Sequence, residues 1–232
     1  MTEVWPPPDA LVEHLRSSSR DGVVYEHAIS VRTGWWNAQK DLPGGPVRAT
    51  GDNEVQKIYR ADLFRLAEGA INDKSGISAQ SLLWHTLAWG TGLKHRNNKR
   101  RIKSVLEKTD GALLLRDAAL ASREDPAAAF SMLRPGRRNA FAWLGPNFST
   151  KYLYFAGGGN PDHPSLIVDQ YVRAALDRET GKDGRFRYIS QYSVGDYIEA
   201  LSQLKAWAKA ASTSTGRPVV PDEVERWAFS SS

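Results

Sequence analysis

The sequence predicts an all-helical protein, mainly helical with little or no sheet. Three observations carry that prediction. Apolar residues recur mostly at helical spacing behind capping residues. Strand-like alternation is confined to two short stretches. The 232 residues include eight tryptophans, enough apolar area for a substantial core.

The elements follow in order. In "PPPDALVEHLRSSS", prolines and Asp9 precede a short amphipathic helix. "GVVYEHAISV" reads as a short strand. "RTGWWNAQKDLPGGPVRATGDNE" is rich in Gly and Pro and reads as irregular, with Trp35 and Trp36 in a loop. "RADLFRLAEGAIN" is helical, with Leu63, Leu66 and Ala67 on one side. "SAQSLLWHTLAWG" is a strongly apolar helix for which Gly90 is a stop signal. "NKRRIKSVLEKTDGALLLRDAALAS" holds one or two helices, and "DPAAAFSML" starts with Asp125 as cap and Pro126 at the first helical position. "NAFAWL", "GPNF" and "STKYLYFA" read as helix, tight turn and helix. "AGGGNPDHP" reads as a linker, and "GRFRYISQY" as a second short strand. "VDQYVRAALDR", "SVGDYIEALSQLKAWAKAAS" and "VPDEVERWAFSSS" complete the helical set.

Composition excludes several chemistries. Cysteine is absent, so no disulfide, cysteine-held metal or thiol nucleophile exists. The five histidines lack metal-ligand spacing, and no metal or cofactor is expected. No apolar run reaches eighteen residues, and the N-terminal stretch lacks a signal-peptide pattern. The expectation is a cytoplasmic monomer with no membrane segment.

Net charge is +5, which favours a polyanionic partner. The charge is clustered. "KHRNNKRRIK", residues 94–103, has six Lys/Arg and no acid, and "RPGRR", residues 134–138, adds three arginines just ahead of the Gly-Pro-Asn turn. Lys99, Arg100, Arg101, Arg137 and Arg138 are therefore candidate phosphate contacts. A helix–turn–helix at Gly145, Asn147, Ser149 and Thr150 can also hold a phosphate, because backbone N–H groups at the second helix's start point outward. Asn147 is the residue expected to take the left-handed conformation in this turn.

Lys151 lies just behind Ser149 and Thr150, read as the first turn of that second helix. A helix N-terminus disfavours an ammonium, and Phe148, Tyr152, Tyr154 and Phe155 can desolvate one, so both favour a neutral, nucleophilic amine. Eighteen residues later, Asp169 follows an apolar triplet and starts a helical pattern, where the helix end favours a carboxylate.

Together Thr150-Lys151, "YLYFAG" and Val168-Asp169, within residues 138–176, resemble the helix-hairpin-helix DNA glycosylase superfamily, most closely its 8-oxoguanine glycosylase branch. The turn departs from the Gly-x-Gly of that superfamily: it has one glycine and is a residue longer. The resemblance implies double-stranded DNA with a damaged or modified base as substrate. Lys151 would be the nucleophile at the sugar's anomeric carbon, forming a Schiff base that also permits abasic-site lyase chemistry. Asp169 would stabilise the developing sugar cation. It further implies two lobes, 62–165 and 1–61 with 166–232, with the site between them. Trp227, Phe229, Trp35 and Trp36 are the candidate walls of a base pocket, Trp227 first. A non-enzymatic helix-hairpin-helix module using Lys151 as a phosphate contact is the alternative, and a basic protein–protein adaptor is a third.

Overall fold

The computed structural model describes residues 4–39, 42–45, 47, 54–181, 184–188 and 190–231. Part of the Gly/Pro-rich stretch, residues 40, 41, 46 and 48–53, lies outside them. Among the described residues the architecture is mainly helical with one two-stranded sheet. Helix α1 (Asp9–Arg16) leads through a π-helical turn (Asp21–Tyr25) into strand β1 (Ala28–Val31) and short helix α2 (Thr33–Asn37). Strand β2 (Gln56–Tyr59) pairs antiparallel with β1, Ala28 opposite Tyr59 and Val31 opposite Gln56. Helices α3 (Arg60–Phe64), α4 (Ala67–Asn72), α5 (Ile77–Thr91), α6 (Asn98–Leu106), α7 (Gly111–Ala121) and α8 (Pro126–Leu133) follow. A 3-10 turn (Pro135–Arg137) precedes α9 (Pro146–Phe155), and α10 (Gln170–Glu179), α11 (Val194–Thr215) and α12 (Pro221–Ser230) end the chain.

Helix α5 is the centre. Leu82, Leu83, Trp84, Leu87, Ala88 and Trp89 are all buried. A helix apolar on every side must be surrounded, and α5 packs against α4, α7, α9 and β1. At the other end, α11 packs on α1, α8 and α12, and α12 also covers α10. No helix among the described residues is long and apolar enough to cross a membrane.

Several sequence expectations hold locally. Asp125 caps α8, its carboxylate accepting from the Ala127 and Ala128 amides at 2.9 and 3.0 Å, with Pro126 in the first turn. Others change. Helix α5 runs through Gly90 to Thr91 and stops at Gly92, which adopts a φ of 58°. Trp35 and Trp36 lie on helix α2, not in a loop. The second expected strand is absent from the described part of 184–192. There the Arg185 and Tyr188 carbonyls accept from the Arg173 guanidinium at 3.1 and 2.5 Å, which takes acceptors a sheet ladder would need. Residues 156–164 form a packed turn, not a free linker. A Cβ at Gly157 would come within 2.3 Å of the His163 ring, so only glycine fits there.

Candidate active site

The site is built on α9 and the N-terminus of α10. Helix α9 starts with Gly145 as cap and Pro146 at the first position, where a missing N–H costs nothing. Ser149 through Phe155 are all buried. Lys151 is thus the sixth residue of the helix, one turn deeper than the sequence pattern placed it. The helix-end field fades within the first turn, so burial and its partners dominate its surroundings.

Thr150 Oγ1 accepts from the Val168 amide at 3.2 Å and donates to the Val168 carbonyl at 3.4 Å. This pins residue 150 to residue 168, and the next residue in each segment is therefore brought to its counterpart. Lys151 Nζ donates to Asp169 Oδ2 at 2.5 Å and to the Asn147 carbonyl at 3.4 Å. The two side chains are only 7% and 4% exposed. Asp169 is also the cap of α10: its Oδ1 accepts from the Tyr171 and Val172 amides at 3.0 and 3.2 Å. One carboxylate oxygen is committed to the helix, and the other faces the amine. That division holds Asp169 rigidly while leaving a proton path to Lys151.

Helix α5 packs against α9 beside the lysine stem. A Cβ on Gly90 would meet the Phe148 ring at 2.8 Å and approach Lys151 Cδ at 3.4 Å. Gly90 is therefore what allows α5 and α9 to close on the lysine stem.

The turn before α9 differs from the expected hairpin. Residues 139–144 are not helical, so the preceding helix is α8. Asn147 lies inside α9, and Trp143 takes the positive φ of 69° instead. The basic run holds this turn: Arg101 Nε donates to the Trp143 carbonyl at 3.0 Å and Ser104 Oγ to that of Ala142 at 2.8 Å. Arg100 sits over the Trp143 ring at 4.7 Å and Arg101 over Phe148 at 4.2 Å. The basic run and the turn thus form one surface. Lys99, Arg100, Arg137 and Arg138 are exposed. Arg101 is a correction to the expected phosphate contacts: its guanidinium is half-buried and occupied by Trp143, Arg96 and Asn98. Burial pulls its pKa down to about 10. Gly145 and Asn147 are half-buried, and Ser149 and Thr150 are buried.

The expected pocket residues divide. Trp227 packs into the core, edge-on to Trp207 at 6.4 Å. Trp36 is fully buried, and Trp35 stacks on His95 at 4.6 Å. Phe229 is half-buried on the face of α12 carrying Glu225 and Arg226. It meets Tyr171 at 5.3 Å and His27 at 6.0 Å. His27 meets Trp89 at 5.2 Å, and Trp89 meets Phe155 at 5.3 Å. A chain of rings therefore runs from beside Asp169 round to α9. Tyr171, His27 and Trp89 were not singled out from sequence; Tyr171, two residues after Asp169, carried the only local signal. Because Trp227 is core, Trp227→Ala should cost about 3–5 kcal/mol and lower the melting temperature by roughly 6–20 °C. Thermal unfolding checks this; a near-normal melting temperature would return Trp227 to the pocket.

Among the described residues no group of three or more His, Asp or Glu side chains could hold a metal ion. No curated protein and no solved structure matches this chain. Residues 22–229 match the family described as "Putative 8-oxoguanine DNA glycosylase OGG-like protein". That match spans both α9 and α10, so the buried lysine–aspartate pair lies within the family's own boundaries, and the chain belongs to this OGG-like glycosylase family.

Proposed function

We propose that the protein is a monomeric DNA glycosylase that removes a damaged or modified base from duplex DNA, with Lys151 as nucleophile and Asp169 as its acid–base and electrostatic partner. The observation that carries this reading is the buried 2.5 Å contact between Lys151 and Asp169. A lysine serving only as a phosphate contact has no reason to be buried against a carboxylate. A phosphate-binding lysine needs its charge free for the DNA.

The chemistry follows from the geometry. Asp169 Oδ2 takes a proton from Nζ, which frees the amine lone pair. Nζ bonds to the sugar's anomeric carbon as the glycosidic bond breaks. The bonding electron pair leaves on the base, which picks up the proton that Asp169 took from Nζ, so Asp169 is again a carboxylate. The Asp169 carboxylate, held by two α10 amides, opposes positive charge growing on the sugar. Ring opening of the amine adduct, with the Nζ proton passing to the ring oxygen, gives a Schiff base; loss of a C2′ proton and of the 3′ phosphate, which leaves with its C–O electron pair, then cuts the strand by β-elimination.

The two-lobed division belongs to the same proposal. Helices α4, α5, α7, α8 and α9 pack on one another, as do α1, α10, α11 and α12. The Lys151–Asp169 pair joins one group to the other. Strand β1 packs on α5, so the N-terminal segment reaches across the divide.

Borohydride reduction during incubation with duplex containing 8-oxoguanine tests the reading. Wild type should become covalently joined to DNA, and Lys151→Gln should not. No adduct with wild type, on lesion-bearing or abasic-site DNA, would leave a DNA-binding module with no lysine chemistry.

The exposed basic surface should set affinity and not base choice. Lys99→Ala with Arg100→Ala removes two phosphate contacts, so the slope of log affinity against log salt should shrink by about 1.8. Titrations at several salt concentrations check this, and an unchanged slope would place these residues away from DNA.

A further inference from the structure

One turn along α9 from Lys151, Tyr154 joins two ion pairs supplied by other segments. Arg60, the first residue of α3, and Glu225 of α12 are fully buried and share two hydrogen bonds, at 2.7 and 3.1 Å. Arg20 binds Asp222, one turn earlier on α12, also through two, at 3.0 and 2.8 Å. The Tyr154 hydroxyl accepts from Arg60 Nη1 and donates to Asp222 Oδ2, both at 3.2 Å. Burial raises its pKa well above the ordinary value, so the hydroxyl keeps its proton at any working pH.

Both pairs are complete without this hydroxyl. Arg60 keeps both Glu225 oxygens, and Asp222 keeps Arg20. What Tyr154 adds is a link between helices. It ties α9 to α12, and α12 packs on α10, the helix that Asp169 caps.

Lys151 stands between two such ties. Thr150 bonds Val168, next to Asp169, and Tyr154 bonds α3 and α12. Residues 150 and 154 are four apart, so they share one face of α9 and lie about 6 Å apart along its axis. One tie alone would leave α9 free to swing about it. The second fixes the direction of the helix, and with it the point from which the Lys151 stem leaves. Tyr152 of the same helix makes a different contact. Its hydroxyl donates to the Leu115 carbonyl of α7 at 3.0 Å, and α7 packs on α9 within one group of helices.

We propose that Tyr154 is a positioning residue for the reaction: through its hydroxyl the two ion pairs hold α9 at the angle that sets Lys151 Nζ against Asp169 and within reach of the sugar. This rests on the glycosylase reading and adds to it a residue too buried to touch DNA. A displacement of about 1 Å at a reacting group costs on the order of 100-fold in rate, so loss of this one hydroxyl should be felt in the chemical step.

The test compares Tyr154→Phe with Tyr152→Phe in the full chain, on duplex containing 8-oxoguanine and on abasic-site DNA. Each variant loses one buried hydrogen bond and should lower the melting temperature by roughly 1–6 °C. Rates are taken at a temperature where circular dichroism shows wild type and both variants folded. Tyr154→Phe should then slow single-turnover excision at saturating protein by about 10–100-fold. Borohydride adducts on abasic-site DNA should slow by a similar factor, because the same amine attacks there. Duplex affinity should stay within about twofold, since phosphate contacts dominate it. Tyr152→Phe should keep both rates within about threefold of wild type, because its hydroxyl bonds inside one group of helices. Where wild type traps abasic-site DNA without excising 8-oxoguanine, the adduct rate decides by the same criteria. A Tyr154→Phe rate close to wild type, an equal loss in Tyr152→Phe, or a loss of duplex affinity that matches the loss of rate makes Tyr154 part of the scaffold only, with the glycosylase reading intact. No adduct and no excision by wild type on either DNA overturns both.

Discussion

Asp169→Asn should slow base excision by about 10²–10³-fold, the loss typical of removing one electrostatic group aimed at a charged transition state. The fold should survive. Asparagine caps a helix about as well as aspartate, so the Tyr171 and Val172 amides keep an acceptor. Lys151 loses its counter-charge in a site where its side chain is only 7% exposed. The variant keeps the lysine side chain but has no carboxylate to oppose the sugar cation or to relay a proton. Duplex affinity should change little, because exposed lysines and arginines dominate it. Single-turnover rates, duplex titration and thermal unfolding together decide. Equal losses of binding and rate, with early melting, would reduce Asp169 to a structural cap.

Glu225→Gln should destabilise the protein by about 3–5 kcal/mol, because it strips the partner from a guanidinium with no access to water. Burial pushes the Glu225 carboxyl above its ordinary range, with Arg60 pulling the other way. In a protein of ordinary stability, about 5–15 kcal/mol, that is a large share. Urea unfolding should show a lower midpoint at an unchanged slope. Replacing both partners, Arg60→Met with Glu225→Leu, should recover much of the loss, since removing a buried pair outright is often neutral. If the double variant is no more stable than Glu225→Gln, the pair is not the source of the cost.

How far the site could be read from sequence depended on distance along the chain. Asp125 and Asp169 were legible as caps because a cap is a local arrangement: a short acceptor side chain two or three residues ahead of unpaired amides. The Lys151–Asp169 spacing was legible because one helix and one short return connect the two. The form of the turn was not. Trp143 holds its positive φ with help from Arg101 and Ser104, some 40 residues earlier, where neither propensity nor spacing could reveal it. Arg101 looked like any solvated cation in a basic run until the turn folded over it.

The pocket shows the same limit more sharply. Trp227 and Phe229 are two residues apart and equally aromatic, yet helix geometry turns them to opposite faces, one to Trp207 and the other to His27. Periodicity shows that α12 has two faces without showing what each one meets. Strand β2 and the Arg60–Glu225 pair were equally invisible, the latter joining residues 165 positions apart. By itself the sequence determined the helical class, the caps, the clustered positive charge and the lysine and aspartate that the fold pairs, because each is set by residues near one another in the chain. Only the tertiary structure decided which aromatic ring of α12 enters the core, which arginine of the basic run is tied to the turn, and that Arg60 and Glu225 pair. Those depend on burial and on partners supplied by distant segments, and a buried charge takes its character from whatever the fold places against it.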